Sequence, residues 1–160
     1  MNWEGFRRAA PELAALGEER FERTGLSLVG TIRANGFPRI SPVEPYIVGG
    51  ELMLGMMWRS KKALDMRREP RIVVHSTVSD KAGTEGDFKA YGRAVDVPDP
   101  ERRTAYGDAT EARIDWRPTE PFHLVTVDIE SAGFVIFGPD RYGLAWDPRR
   151  GLRRLEYAPD

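Results

Sequence analysis

Leu26-Ser27-Leu28-Val29-Gly30-Thr31-Ile32-Arg33-Ala34-Asn35-Gly36-Phe37-Pro38-Arg39-Ile40-Ser41-Pro42-Val43-Glu44 is the stretch that decides the fold. Its first eight residues are apolar or β-branched at most positions, and Asn35-Gly36 follows. Both residues tolerate positive φ, so between two strand-like runs they are the strongest short-range hairpin signal. The partner strand is predicted over residues 39–44. Gly49-Gly50 then turns the chain into Glu51-Leu52-Met53-Leu54-Gly55-Met56-Met57-Trp58, which predicts three consecutive strands in an antiparallel meander.

On the N-terminal side, residues 1–24 read as a helix in which Pro11 opens or kinks a second part. Phe6, Leu13, Leu16 and Phe21 share one face of it. On the C-terminal side, Ser60 is an N-cap for a short helix ended by Pro70. A buried strand spans 71–76, an exposed loop 79–86, and an alternating strand 88–97. Asp99-Pro100 opens a helix through about Tyr106. Two strands are expected over 122–129 and 133–137, with a final short one over 151–157. The chain therefore reads as one domain: helical residues 1–24, a β unit 25–138 and a C-terminal segment 139–160. Six or more short strands with few helices between them favour a closed or nearly closed antiparallel barrel over a doubly wound parallel sheet.

Composition narrows the function. The 160 residues have room for one real core, and 41% hydrophobic with 31% charged residues is ordinary for a globular protein. A formal net charge of −1 lacks the basic excess of a nucleic-acid binder. The absence of cysteine excludes disulfides, thiol catalysis and Cys-ligated zinc. His75 and His123 lie on separate predicted strands without metal-ligand spacing, so no metal site is expected. Neither a secretory leader nor an apolar membrane span is legible, and the expected location is the cytoplasm. No serine-hydrolase elbow, dinucleotide fingerprint or Walker loop is present.

Two local features carry chemistry. Trp58-Arg59-Ser60-Lys61-Lys62 joins a strand end to a helix start. Residues 59–71 hold six basic residues against two acidic ones, a local net charge of +4 in a chain of net −1. Free backbone N–H groups, a positive dipole end, a serine hydroxyl and two lysines suit a phosphate; a basic surface helix without a ligand has the same composition. The second feature is the 36–44 strand. Its two prolines exclude it from the fully paired middle of a sheet, leaving either a bulged edge or backbone exposed to a ligand.

Together, GTIRANGFPRISPV followed by ELMLGMMWRSKKALDMRREPRIVV resembles the pyridoxamine 5′-phosphate oxidase-like family of flavin-binding split barrels. The match is good over residues 26–97 and thinner beyond. It implies a mainly β fold, an antiparallel six-stranded split β-barrel with short helices. The implied activity is that of an FMN-dependent oxidoreductase acting on a small molecule, with the flavin at a homodimer interface. By position, Arg39 matches an arginine that contacts the flavin, and Arg39, Ile40, Ser41, Pro42 and Val43 match the strand along the ring. Gly55 and Met56 match contacts from the next strand, while Ser60, Lys61 and Lys62 match the serine-arginine-lysine motif that holds the ribityl phosphate. Lys61 replaces an arginine, which turns bidentate binding into point-charge binding. Trp146 resembles a C-terminal tryptophan that reaches the partner's flavin, and Asp87 stands nearest to a missing family glutamine. The substrate signature of the named oxidase is only faintly echoed at residues 151–157. Alternatives are a 5-deazaflavin (coenzyme F-420)-dependent reductase and a non-enzymatic flavin or haem binder using His75 or His123. The resemblance assigns no catalytic acid or base, although Tyr91 and His75 are the titratable groups expected near the cofactor.

Overall fold

A computed structural model describes residues 1–139 and 141–156. Helix α1 (Trp3–Ala9) is capped by Asn2, whose side chain accepts from the Gly5 N–H at 2.9 Å. Pro11 is the first residue of α2 (Pro11–Thr24), so the expected break falls there. Strands β1 (Ser27–Ile32) and β2 (Pro38–Val43) form the predicted hairpin, with Gly36 at φ 83° in its turn. Then follow β3 (Pro45–Val48), β4 (Glu51–Met57), α3 (Lys61–Arg68), β5 (Arg71–Ser76) and β6 (Asp87–Asp96). The chain continues through α4 (Pro100–Ile114), β7 (Phe122–Ile136), β8 (Tyr142–Asp147) and β9 (Gly151–Leu155). Tyr157, expected in the last strand, lies outside the described residues. Among the described residues, no helix is long and apolar enough to cross a membrane.

All nine strands of the described residues join one antiparallel sheet, ordered β2-β1-β5-β6-β7-β4-β3, with β8 and β9 branching from β7. This corrects the expected meander. The β1–β2 and β3–β4 hairpins sit at opposite ends of the sheet, yet only Glu44 separates β2 from β3. The sheet must curl until its two ends meet. Pro42 and Pro45 bring no N–H to that junction, so no ladder closes it and the barrel is left split. Counted as one bent strand, β2 and β3 give the six strands of the expected barrel, to which the unpredicted β8 adds a hairpin with β9.

The two strands expected over 122–129 and 133–137 are one. β7 runs unbroken for 15 residues, and the register against β6 shifts between Tyr91 and Gly92, where Ser131 and Ile129 are the respective partners. Glu130 is thus the extra residue of a bulge, and a bulge read from sequence looks like a turn.

The main core fills the barrel and the cleft under α1 and α2. Trp3, Phe6, Phe21 and Phe88 are enclosed, with contacting ring centroids 5.2 Å (Trp3–Phe6) to 6.3 Å (Phe6–Phe88) apart, and the enclosed Phe134 packs against Tyr142 at 6.0 Å. Each such side chain contributes about 2–3 kcal/mol relative to exposure. A second cluster, Tyr46, Met53, Val97, Tyr106 and Leu124, packs α4 against the outer face of β3, β4 and β7. That packing places a helix beside the split.

Candidate functional site

A cavity of about 860 Å³ lies over the split, bordered by β2, β4, the start of α3, the inner face of α4 and the segment leading into β7. Its β2 side is set by strand alternation. Arg39 and Ser41 face the cavity, while Ile40 points away and is 72% exposed. Arg39 Nε donates to the buried Asp65 carboxylate at 2.7 Å, and Thr31 donates to the same oxygen at 3.1 Å. Burial alone would raise the Asp65 carboxyl. Hydrogen bonds from Arg39 and Thr31, with the charges of Arg39 and Arg68, outweigh it and hold the group below the usual carboxylate range. A helix residue thereby fixes the arginine of a strand at the cavity wall.

The phosphate-like corner forms at the turn between β4 and α3. Arg59 adopts φ 57°, and the Ser60 N–H donates to the Met57 carbonyl at 3.1 Å. Ser60 occupies the N-cap position without making a side-chain cap bond, and its hydroxyl oxygen is enclosed with no hydrogen-bond partner. A buried hydroxyl is ordinarily satisfied. Lys61 is exposed beside it. The Lys62 ammonium donates to the Pro42 carbonyl, bridging α3 to β2. Burial pushes the Lys62 amine below its ordinary value, against the opposing charge of Glu44.

Gly55 gives the cavity its floor. A Cβ there would meet the Tyr106 hydroxyl and lie 2.6 Å from Tyr106 Cζ, so only glycine lets β4 run beneath this ring. Burial raises the Tyr106 phenol far above its ordinary value, with the neighbouring Tyr46 and Glu44 adding to it, and the group stays protonated.

Of the residues expected to hold a flavin, Arg39, Ser41, Pro42, Gly55, Met56, Ser60, Lys61 and Lys62 border this one cavity. Three do not. Ile40 faces outward through strand alternation, whereas Val43, 1% exposed and on the same side of β2 as Arg39 and Ser41, lies far enough along the strand to belong to the main core. Trp146 is 2% exposed and packs edge-on against Phe6 at 5.1 Å, so it has no surface to offer a partner's flavin. His75 and Tyr91 also lie away from the cavity. His75 Nδ1 is 2.6 Å from the Ser76 carbonyl, Tyr91 is 46% exposed, and Asp87 is taken up by Lys89. His123 does not border the cavity either. It stacks on Trp58 with centroids 4.6 Å apart, and burial lowers its pKa, helped by Arg67.

Sequence reasoning missed the α4 wall. Tyr106, Thr110 and Ile114 recur at four-residue spacing and all face the cavity, followed by Trp116, Pro118 and Phe122. Ending the helix at Tyr106 broke that stripe. α4 continues through Gly107, where the Arg117 guanidinium carbon would lie 3.3 Å from a Cβ.

No protein-family model and no curated protein matches this chain at a significant level. Solved structures do. A pyridoxamine 5′-phosphate oxidase-related, FMN-binding protein of Nostoc punctiforme aligns with a TM-score of 0.68 at 14% identity, over 93% of this chain and 96% of that one. PhzG of Burkholderia lata, in complex with tetrahydrophenazine-1-carboxylic acid, gives 0.64 at 9% identity, over 94% and 93%. A haem-binding protein of Mycobacterium smegmatis gives 0.62 at 16% identity over 81% of this chain, which spans only 57% of that protein's length. Identities this low establish shared architecture and nothing finer. The chain has the split-barrel fold of the pyridoxamine 5′-phosphate oxidase-like, FMN-binding proteins.

Proposed function

We propose that this protein is a flavin-dependent oxidoreductase of the pyridoxamine 5′-phosphate oxidase-like type that binds FMN in the cavity over the split and works as a homodimer. The observation that carries the reading is the Ser60 hydroxyl, enclosed without a partner at the N-terminus of α3 beside two lysines. A dianionic phosphate fits that corner: it accepts from the hydroxyl and from the free N–H groups of the first turn, and Lys61 supplies charge. Lys62, tied to the Pro42 carbonyl, holds β2 against α3 and adds a second positive charge. Arg39, oriented by Asp65, offers its remaining N–H donors to the ring system. When bound, a flavin supplies hydride or electron transfer, and the chain supplies orientation and electrostatics. Exposed apolar side chains near the mouth, Met57 at 80% and Ile40 at 72%, are what a second copy would cover.

Fluorescence titration with FMN and, separately, with the deazaflavin coenzyme tests the reading. Wild type binds FMN, and the Lys61→Ala/Lys62→Ala double variant loses about tenfold or more in affinity, since a hydrogen bond to a charged group is worth roughly 1.5–3 kcal/mol. Ser60→Ala weakens FMN several-fold yet leaves the melting temperature unchanged or slightly higher, because it removes an unsatisfied hydroxyl and no cap bond. Preference for the deazaflavin would move the protein to the reductase reading. Binding of neither coenzyme, or unchanged affinity in the double variant, overturns the flavin assignment.

A further inference from the structure

The two sides of the cavity differ in chemistry. The β2–α3 side carries Arg39, Lys61 and Lys62, whereas the α4 side is built from Tyr106, Ile114, Trp116 and Phe122. The arginines around that second side are engaged. Arg113 lies over the Tyr46 ring at 4.1 Å and donates to the Pro45 carbonyl at 2.9 Å. Arg103 covers Phe122 at 4.1 Å and pairs with Glu120, while Arg117 is tied to Asp108 and Glu111. A phosphate or carboxylate arriving there meets no uncommitted arginine, and Glu44 on the cavity wall repels it.

What the α4 side offers is flat apolar surface. Tyr106 and Phe122 stack with centroids 6.1 Å apart and an interplanar angle of 27°. Ile114 and Trp116 are 51% and 55% exposed although they line a concavity. Among the polar groups that interrupt this surface, the Thr110 hydroxyl is spent on the Gly107 carbonyl, and the Tyr46 hydroxyl is not. Tyr46 is 3% exposed, and the proton of its enclosed hydroxyl finds no acceptor, since the neighbouring Arg113 can only donate. Burial raises the Tyr46 phenol above its ordinary value, against the Arg113 charge, so the group remains an O–H donor. The cavity, at about 860 Å³, is also near the top of the range of roughly 300–1,000 Å³ for small-ligand pockets.

We propose that the α4 side is a substrate subsite for an uncharged, planar, largely apolar molecule bearing a hydrogen-bond-accepting oxygen, which the Tyr46 hydroxyl receives while Trp116 and Phe122 flank the plane. The assignment rests on the flavin reading, because a phosphate-bearing cofactor takes the β2–α3 side. It disfavours phosphorylated substrates in the subsite, since Arg103 and Arg117 are ion-paired, Arg113 is held over the Tyr46 ring, and Glu44 repels a second dianion.

Equilibrium dialysis of FMN-saturated protein against coumarin and against naphthalene separates the elements of the proposal. Both probes are planar and uncharged, and only coumarin carries a carbonyl. Wild type is expected to prefer coumarin by about fivefold, the worth of one neutral hydrogen bond. Tyr46→Phe abolishes the preference while retaining naphthalene binding, and Trp116→Ala weakens both probes. A preference that survives Tyr46→Phe overturns the proposal, as does tighter binding of pyridoxal 5′-phosphate than of coumarin. Competitive displacement of coumarin by FMN would also overturn it, by giving the α4 side to the flavin ring. Failure of wild type to bind FMN sinks the flavin reading separately; the coumarin–naphthalene comparison, repeated without FMN, still decides the subsite.

Discussion

Gly92→Ala is expected to lower the unfolding free energy by about 3 kcal/mol, the upper end of what overpacking ordinarily costs. Gly92 faces the β6–β7 bulge, where the strands approach closely. A Cβ there would collide with the Asp128 carbonyl oxygen and lie 2.9 Å from its carbon and 3.1 Å from Ile129 Cα. All three obstacles are backbone, so no rotamer change relieves them. The only escape is to open the β6–β7 ladder in the middle of the sheet. Gly133→Ala is the control: its nearest neighbour is the Leu144 carbonyl at 3.4 Å, an ordinary contact, and the expected change is less than about 1 kcal/mol. Urea melts of the two variants decide it; equal midpoints would show that the close approach at the bulge carries no energetic weight.

Asp65→Ala is the second large effect, expected at about 2–3 kcal/mol. Breaking a buried ion pair by removing one partner ordinarily costs roughly 3–5 kcal/mol. Arg39 keeps 27% of its side-chain surface in water, which places the loss below that range. The variant leaves Thr31, 2% exposed, without an acceptor for its hydroxyl, and it frees Arg39 to swing from the cavity wall. The same pair gives a pH signature. Because the Asp65 carboxyl is held below its ordinary value, its stabilisation is fully present above the unfolded carboxylate pKa and is lost as pH falls through the lowered folded one. Wild type is therefore expected to lose stability in acid below about pH 4 more steeply than Asp65→Asn. Parallel acid titration curves for the two proteins would refute the pairing.

What the chain reveals of itself before folding follows a physical division. Short-range signals were legible: Asn35-Gly36 sets a hairpin, Pro11 and Pro100 open helices, and Ser60-Lys61-Lys62 sits where a strand hands over to a helix. Residues 39–62 contribute eight of the expected contacts to one cavity because β2, β4 and the start of α3 follow one another within a short stretch of chain. Pairing between distant strands was not legible. The β1–β2 and β3–β4 hairpins look the same in sequence whether they lie side by side or at opposite ends of a sheet, and curvature decides which. Trp146 shows the same limit, since its place against Phe6 depends on α1 reaching β8 across more than a hundred residues. The α4 wall is a different case. Its four-residue stripe was present, and a mid-helix Gly107 obscured it.

Glu44 alone carries the chain from one end of the sheet to the other, and the cavity lies across that gap with walls drawn from both sides. Cavity width and barrel curvature are consequently a single degree of freedom. A molecule seated between Ser41 and Gly55 supplies the lateral contact that the absent ladder withholds, and so sets how far apart the two ends stand. Conversely, a substitution deep in the barrel that flattens the sheet alters the grip on a ligand without touching any residue that lines the cavity.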